Sequence, residues 1–427
     1  MHRVRTAIIG GLAAAMVTTA LASCEGGSRP RPSASPVVGD VHVVARSERG
    51  VAWTPSVAVD PPRHRVYVAW VEPTKKGTAS YLAVSDDDGN RFTPPMRIGG
   101  WTDQVPLVRV ADDGTLFLMW THWDPHRLID PKSEYSNPAW QVLETSTDGG
   151  RTFSDPVSVP DEGSMTATFF AGLAVSRDGS RVVVTWIDYS RIPGFGDGSD
   201  RRRQAARMLA VTSTDGGRTF GTPLVATTST CVCCTPTAFL MGDRPGVAYR
   251  GWQRGGDGGD ERDPHVALLS ASGNDWSSSV VHHDGFHLKV CPHMGLGAAV
   301  DPTGRLFVDW WTGAEGRAGY WYTTSADGRS FSEPVQLVPL KIDPHGNDLS
   351  IAIDPSGTAW MPAVVFPGGR GSGPQVALWM VPSGEGPTEV PGIETSGTFP
   401  AVTSTADGVA MIWAEKDRLL FREVSVG

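Results

Sequence analysis

Charge is scarce in this chain: Asp, Glu, Lys and Arg make up only 19% of 427 residues, and the balance is acidic, at −9 with a pI near 5.7. A nucleic-acid partner is thereby excluded, because neutralising phosphates needs a concentrated basic face. The one basic run, Arg201-Arg202-Arg203, follows an acidic, Gly-rich stretch and reads as a solvated loop tip. Long helical periodicity is missing too, which argues against a bundle. Beyond the first 24 residues no hydrophobic run is long enough to cross a membrane. What the chain has in quantity is 50 Gly, 33 Pro and 15 Trp, a composition of many turns around a large apolar core.

Four short stretches repeat one turn: residues 85–92 (SDDDGNRF), 146–153 (STDGGRTF), 213–220 (STDGGRTF) and the shortened 325–331 (SADGRSF). Each has a Ser, an Asp two residues on, then Gly and a ring. The carboxylate can accept turn N–H groups, Gly permits positive φ, and the aromatic side chain can plug neighbouring sheets. A second pattern accompanies them, strands ending in Trp or its equivalent: VYVAW at Trp70, LFLMW at Trp120, VVVTW at Trp186, GVAYR at Arg250 and LFVDW at Trp310. Weaker copies surround Ala363 and Trp413. The copies recur roughly every 50–65 residues, the length of a four-stranded propeller blade with its loops.

This repeat resembles the Asp-box, or bacterial neuraminidase, repeat. The expected fold is all-β, a single β-propeller of seven blades, with six as the alternative because sialidases, the best-known Asp-box proteins, have six. Two separate β-sandwiches would not need a repeating period. The last unit is short of an outer strand after residues 419–424, and residues 41–45 are expected to supply it. Closing the ring with strands from both termini removes exposed sheet edges.

Residues 1–24 read as an address. His2, Arg3 and Arg5 precede an apolar run from Ala7 to Ala22, and Leu21-Ala22-Ser23-Cys24 resembles a bacterial lipobox. Lipidated Cys24 would then tie the protein to the bacterial cell membrane on its extracytoplasmic side; an ordinary secretory signal cleaved elsewhere is the alternative. Residues 25–38 read as a flexible Gly, Ser and Pro tether, and 39–427 as the propeller, expected to be monomeric.

The remaining four cysteines are clustered. Cys231, Cys233 and Cys234 open the fourth unit, and Cys291, followed by His293 and Met294, opens the fifth. Both clusters fall on connections between blades, so blade arithmetic carries them to one face, near the axis, in adjacent blades. Two chemistries fit. An even set of cysteines in an oxidising compartment reads as disulfides, with an inter-blade link from Cys291 to one of the triplet. Thiolates beside imidazole and thioether also suit copper, or zinc if only Cys and His bind, with His282, His283 and His287 close upstream.

On the same face, equivalent connections place Trp53, Asp103, Gln104, Phe169, His345, Asp348 and Thr398. Longer loops add His122, Trp123, His126, Tyr189, Arg191, Trp252 and Arg254, and Arg250 ends the second strand of the fourth unit. Trp53, Asp103, Arg250, Arg254, His345 and Asp348 are the candidates for a glycan or peptide ligand. The resemblance to sialidases implies an arginine before the first inner strand, but Trp53-Thr54-Pro55 stands there. The Arg-Ile-Pro at Arg191 falls in a loop of the third unit, and Tyr320 and Tyr322 lie on a strand leading to the fourth box rather than in a nucleophile's setting. The expected function is therefore a ligand-binding module, with an exo-α-sialidase-like glycoside hydrolase as the alternative.

Overall fold

In the computed structural model the described residues run from 35 to 426, apart from 52–54, 76, 101–103, 125–137, 160–169, 189–204, 257–258, 290–291 and 345–347. Cys24, Trp53, Asp103, Cys291 and His345 lie outside them. The described residues contain strands and short 3-10 turns but no α-helix.

Seven antiparallel sheets follow one another along the chain as the blades of a propeller. Blade 1 comprises Ser56–Asp60, Arg65–Thr74, Gly77–Ser85 and Met96–Ile98, each strand pairing with the next. Blades 2 to 6 repeat that meander, and in blade 4 the strands are Thr237–Met241, Arg244–Arg250, Pro264–Leu269 and Trp276–Val280. Blade 7 joins the ends of the chain. Arg418–Val426 pairs with both His42–Arg46 and Pro36–Val38, so strands from the two termini share one sheet. Pro36, Val37 and Val38, read from sequence as the end of the tether, thus belong to the blade.

Second strands read as unbroken apolar runs because both of their faces are covered by neighbouring blades. Trp70, Trp186, Trp310, Trp360 and Trp413 are fully buried there. Each interblade core mixes two sheets: Val66, Val68 and Trp70 of blade 1 pack with Ala410, Ile412 and Phe421 of blade 7, which closes the ring hydrophobically as well as by pairing.

The four repeated turns link third to fourth strands and share one geometry. In the first, the Ser85 hydroxyl donates to Asp87 and accepts the Gly89 N–H, while the Asp87 carboxylate accepts the Arg91 N–H. The same set recurs at Ser146, Ser213 and Ser325. These turn hydrogen bonds hold the Asp148, Asp215 and Asp327 carboxyls below the usual range. Gly89 sits at φ 80°, and a Cβ there would fall 2.1 Å from the Phe421 ring of blade 7. The turn is therefore a contact between blades, on the face opposite the interblade connections.

Candidate functional site

The connection from blade 3 to blade 4 begins at Cys231, whose N–H donates to the Arg250 carbonyl at 2.9 Å. Arg250 ends the second strand of blade 4 and is completely buried. Its guanidinium spends each nitrogen on a backbone carbonyl: Nε on Met294 at 3.2 Å, Nη1 on Arg262 at 2.9 Å and Nη2 on Trp311 at 2.9 Å. A buried cation persists only when such partners replace water. Arg250 is thus a clamp between two loops and blade 5, and it does not line a ligand cleft among the described residues.

Around that clamp, the sulfurs of Cys231, Cys233 and Cys234 lie within 4.8 Å of one another, buried beside Ile187 and Ala206 of blade 3. Cys231 and Cys234 carry thiols, and Cys233 is disulfide-bonded. The Cys234 thiol donates to Cys231 at 3.1 Å. Burial pushes the Cys231 thiol up, but the Cys234 hydrogen bond and the Arg262 and Arg250 charges reverse this and leave it below its ordinary value. Cys234, buried beside that sulfur, is pushed well up.

Residues nearly sixty positions apart do meet here, since the Met294 N–H bonds to the Cys234 sulfur. Met294's thioether goes elsewhere, into a core with Phe286, Trp311 and Tyr320. Its backbone bonds to Arg250 and Cys234 through the carbonyl and the N–H. His293 is exposed, at φ 50°. Of the six residues considered for copper or zinc, the structure therefore gathers the three sulfurs of the triplet and not Met294.

Beside this knot a cleft of about 230 Å³ opens, lined by Ser229, Gly251, Trp252, Gln253, Arg254, Glu261, Asp263 and His265. Its floor is built locally. Gln253 and Glu261 exchange backbone hydrogen bonds, folding residues 251–263 back on themselves. Asp260–Glu261 then pairs with His287–Leu288 from the next connection. The buried Asp263 carboxylate accepts the Phe286 N–H at 3.0 Å and the Gly285 N–H at 3.3 Å, which fixes its direction. Burial lowers the pKa of His265, whose ring Nδ1 lies 3.0 Å from the Asp263 carbonyl oxygen. Gly251 is required beside that ring, because a Cβ would come within 2.4 Å of it. Glu261, Asp263 and exposed His283 bring two carboxylate oxygens and an imidazole nitrogen within 4.8 Å of one another, a mixed oxygen and nitrogen set of the kind that binds a divalent transition metal.

Arg254 is exposed and faces this cleft, as the sequence suggested for its loop. Asp348 is separate from it. It lies with Thr235 and Gly295 on the central channel, about 950 Å³ in volume, lined by the inner strands of all seven blades. Burial pushes the Asp348 carboxyl up to about 6, against hydrogen bonds from Thr235 and Gly295. Gln104 and Thr398 begin the inner strands of blades 2 and 7, and His122 and Trp123 end the second strand of blade 2. Tyr320 is buried with its hydroxyl on the Val364 carbonyl, and burial raises its pKa steeply, which suits packing and not nucleophilic attack.

Glu261, Asp263, His265, Gln253 and Ser229 were not singled out from sequence. The available signal was the run Asp260 to His265, two carboxylates and an imidazole around Arg262 and Asp263, in a loop otherwise rich in Gly.

No family model matches the chain, and no curated protein matches it in sequence. Solved structures do share its fold. Ulvan lyase, a polysaccharide lyase, superposes with a TM-score of 0.54 at 12% identity, over 90% of this chain and 96% of that one. Virginiamycin B lyase from Staphylococcus aureus, as a catalytically inactive variant with quinupristin, gives 0.51 at 11% identity, over 91% and 99%. A Hadza microbial sialidase gives 0.47 at 14% identity, over 88% and 66%. Sialidases and lyases thus occur among its low-identity structural neighbours, and the likeness is one of fold.

Proposed function

We propose that this chain is an extracytoplasmic propeller, anchored to the membrane through lipidated Cys24, that binds the end of a glycan in the blade 4 cleft. The observation that carries the reading is the joint lining of that cleft by Trp252, Gln253, Arg254, Glu261 and Asp263. An aromatic face with convergent amide, guanidinium and carboxylate groups is the chemistry that packs against a sugar ring and hydrogen-bonds its hydroxyls. The volume lies below the ~300–1,000 Å³ of drug-sized sites, which favours one terminal sugar over a threaded chain.

Glycan-array binding with the purified full-length chain in detergent tests this. Retention of a defined set of glycans, lost at least about tenfold in Trp252→Ala and Glu261→Gln, is expected. Binding unaffected by both substitutions, or no retention at all, would overturn it.

Hydrolysis is the second reading, favoured by one observation: the Glu261 and Asp263 carboxylates approach within 4.8 Å. Glycoside hydrolysis commonly uses a pair of carboxylates flanking the scissile bond. A sialidase mechanism is less well supported, because Arg250 is committed to three carbonyls and Tyr320 to a fourth. Turnover of a glycoside panel, abolished by Glu261→Gln, would convert the binding module into an enzyme. Lipid attachment is tested separately by Cys24→Ser, which should release the protein from membranes.

A further inference from the structure

Arg109 lies on the inner strand of blade 2, Gln104–Val110, and lines the central channel. Unlike Arg250, it is not saturated by the protein. Its guanidinium makes one hydrogen bond, from Nη1 to the Val108 carbonyl oxygen at 2.7 Å, and among the described residues it forms no ion pair. That bond also fixes where the group sits. The Val108 N–H donates to Ser56 Oγ of blade 1 at 3.1 Å and not to its own second strand. In an antiparallel ladder the N–H and C=O of one residue share a side, so the Val108 carbonyl lies on the free edge of the inner strand too. Those free edges form the channel wall, and the guanidinium is held along one of them.

The register makes this arginine an exception. It pairs with Phe117, three residues before Trp120. The corresponding position in the other six blades holds Ala58, Ala174, Ala238, Ala299, Ala352 and Thr403. Small uncharged side chains thus leave space where the inner strands converge, and blade 2 alone places a charge there. Burial pushes the Arg109 pKa down to about 10 with no neighbouring charge to oppose it, so the group is still a cation at neutral pH. Carboxylates elsewhere on the channel do not reach it: Asp178 and Asp301 are tied into their own hairpin turns, Asp243 is exposed at another, and Asp348 accepts the Gly295 N–H. A desolvated cation without acceptors is costly, and Arg250 shows how the same chain meets that cost where carbonyls are at hand.

We propose that the central channel is a binding site for a small oxyanion of the phosphate class, held by the Arg109 guanidinium. The planar fork of an arginine matches two oxygens of such an ion, and anchoring Nη1 on Val108 turns the remaining N–H donors to the channel. Leu107, Leu173 and Ile351 on the same wall are apolar, which strengthens a charge-assisted bond relative to one in open water. The channel, at about 950 Å³, has room for the ion and its remaining water. No residue of blade 2 lines the blade 4 cleft, so the site stands apart from glycan binding.

Equilibrium dialysis of the purified full-length chain in a non-ionic detergent against inorganic phosphate, with sodium chloride adjusted to constant ionic strength, tests the site. The wild type should take up about one phosphate per chain, half-saturated on the order of 1 mM, as a few charge-assisted hydrogen bonds allow. Its thermal midpoint should rise with phosphate at that constant ionic strength, because the ion binds the folded chain alone. Arg109→Met should weaken uptake at least about tenfold and abolish the rise. If methionine prevents folding, Arg109→Lys takes its place: it keeps the charge without the planar fork and should bind more weakly than the wild type. Absence of saturable uptake by the wild type in the millimolar range overturns the proposal without any variant. Uptake undiminished by the substitution places the ion elsewhere and overturns it equally.

Discussion

Arg250 donates through Nη2 to the Trp311 carbonyl oxygen at 2.9 Å, tying the end of blade 4's second strand to the corresponding strand of blade 5. With its bonds to Met294 and Arg262, this one side chain organises the connections that bear both the sulfur knot and the cleft. Truncation would remove three charge-assisted hydrogen bonds from carbonyls of buried residues. Arg250→Ala should therefore destabilise the fold by about 3–5 kcal/mol, the cost of breaking a buried charged network. Denaturant unfolding measures it. A variant with an unchanged midpoint and only weakened ligand binding would return Arg250 to the ligand site.

Gly89 tests the repeated turns. Its φ of 80° and the 2.1 Å approach of an added Cβ to the Phe421 ring oppose any side chain, whereas Gly242, at φ 60°, has nothing within 4 Å. Gly89→Ala should cost about 1–3 kcal/mol more than Gly242→Ala, because only the first adds overpacking between blades to backbone strain. Equal thermal shifts for the two would mean the turn is not an interblade contact in solution.

How much of this was legible beforehand follows from where the signal was stored. Ring closure could be read because a repeat constrains every copy, and the run from Val41 to Ala45 had no blade of its own; the structure places the strand at His42–Arg46. Arg250's task could not be read, because its acceptors are backbone carbonyls, which carry no residue signature, and they belong to Met294, Arg262 and Trp311. Glu261 and Asp263 were overlooked for another reason. In a loop without period a carboxylate looks solvated, and only Asp263's bonds to Gly285 and Phe286, more than twenty residues away, reveal that it is buried.

Asp348 gives the fold a pH dependence of definite sign. Its carboxyl is raised from 3.8 to about 6 by burial, so the folded chain holds this proton more tightly than the unfolded chain. Its contribution is fully present below about pH 4 and is lost as pH rises through about 6. Asp348→Asn cannot ionise. The stability of the wild type relative to that variant should fall by about 1–3 kcal/mol between pH 4 and pH 7. Urea unfolding of both proteins across that range checks it, and parallel curves would show that Asp348 ionises as it does in water.

The shared sheet of blade 7 leads to a prediction about assembly. Arg418–Val426 is covered by His42–Arg46 and Pro36–Val38, and it would become an open edge if those strands were removed. An exposed edge carries unpaired N–H and C=O groups that accept a strand from another chain. Interior packing would suffer as well, since Val44 and Ala45 are buried against blades 7 and 1. A chain beginning at Glu48 should therefore unfold at lower denaturant and elute from size exclusion as dimers and larger species, and adding a peptide of residues 35–47 in trans should return it toward monomer. If the shortened chain stays monomeric and equally stable, the ring is held by side-chain packing alone and the terminal strands are dispensable.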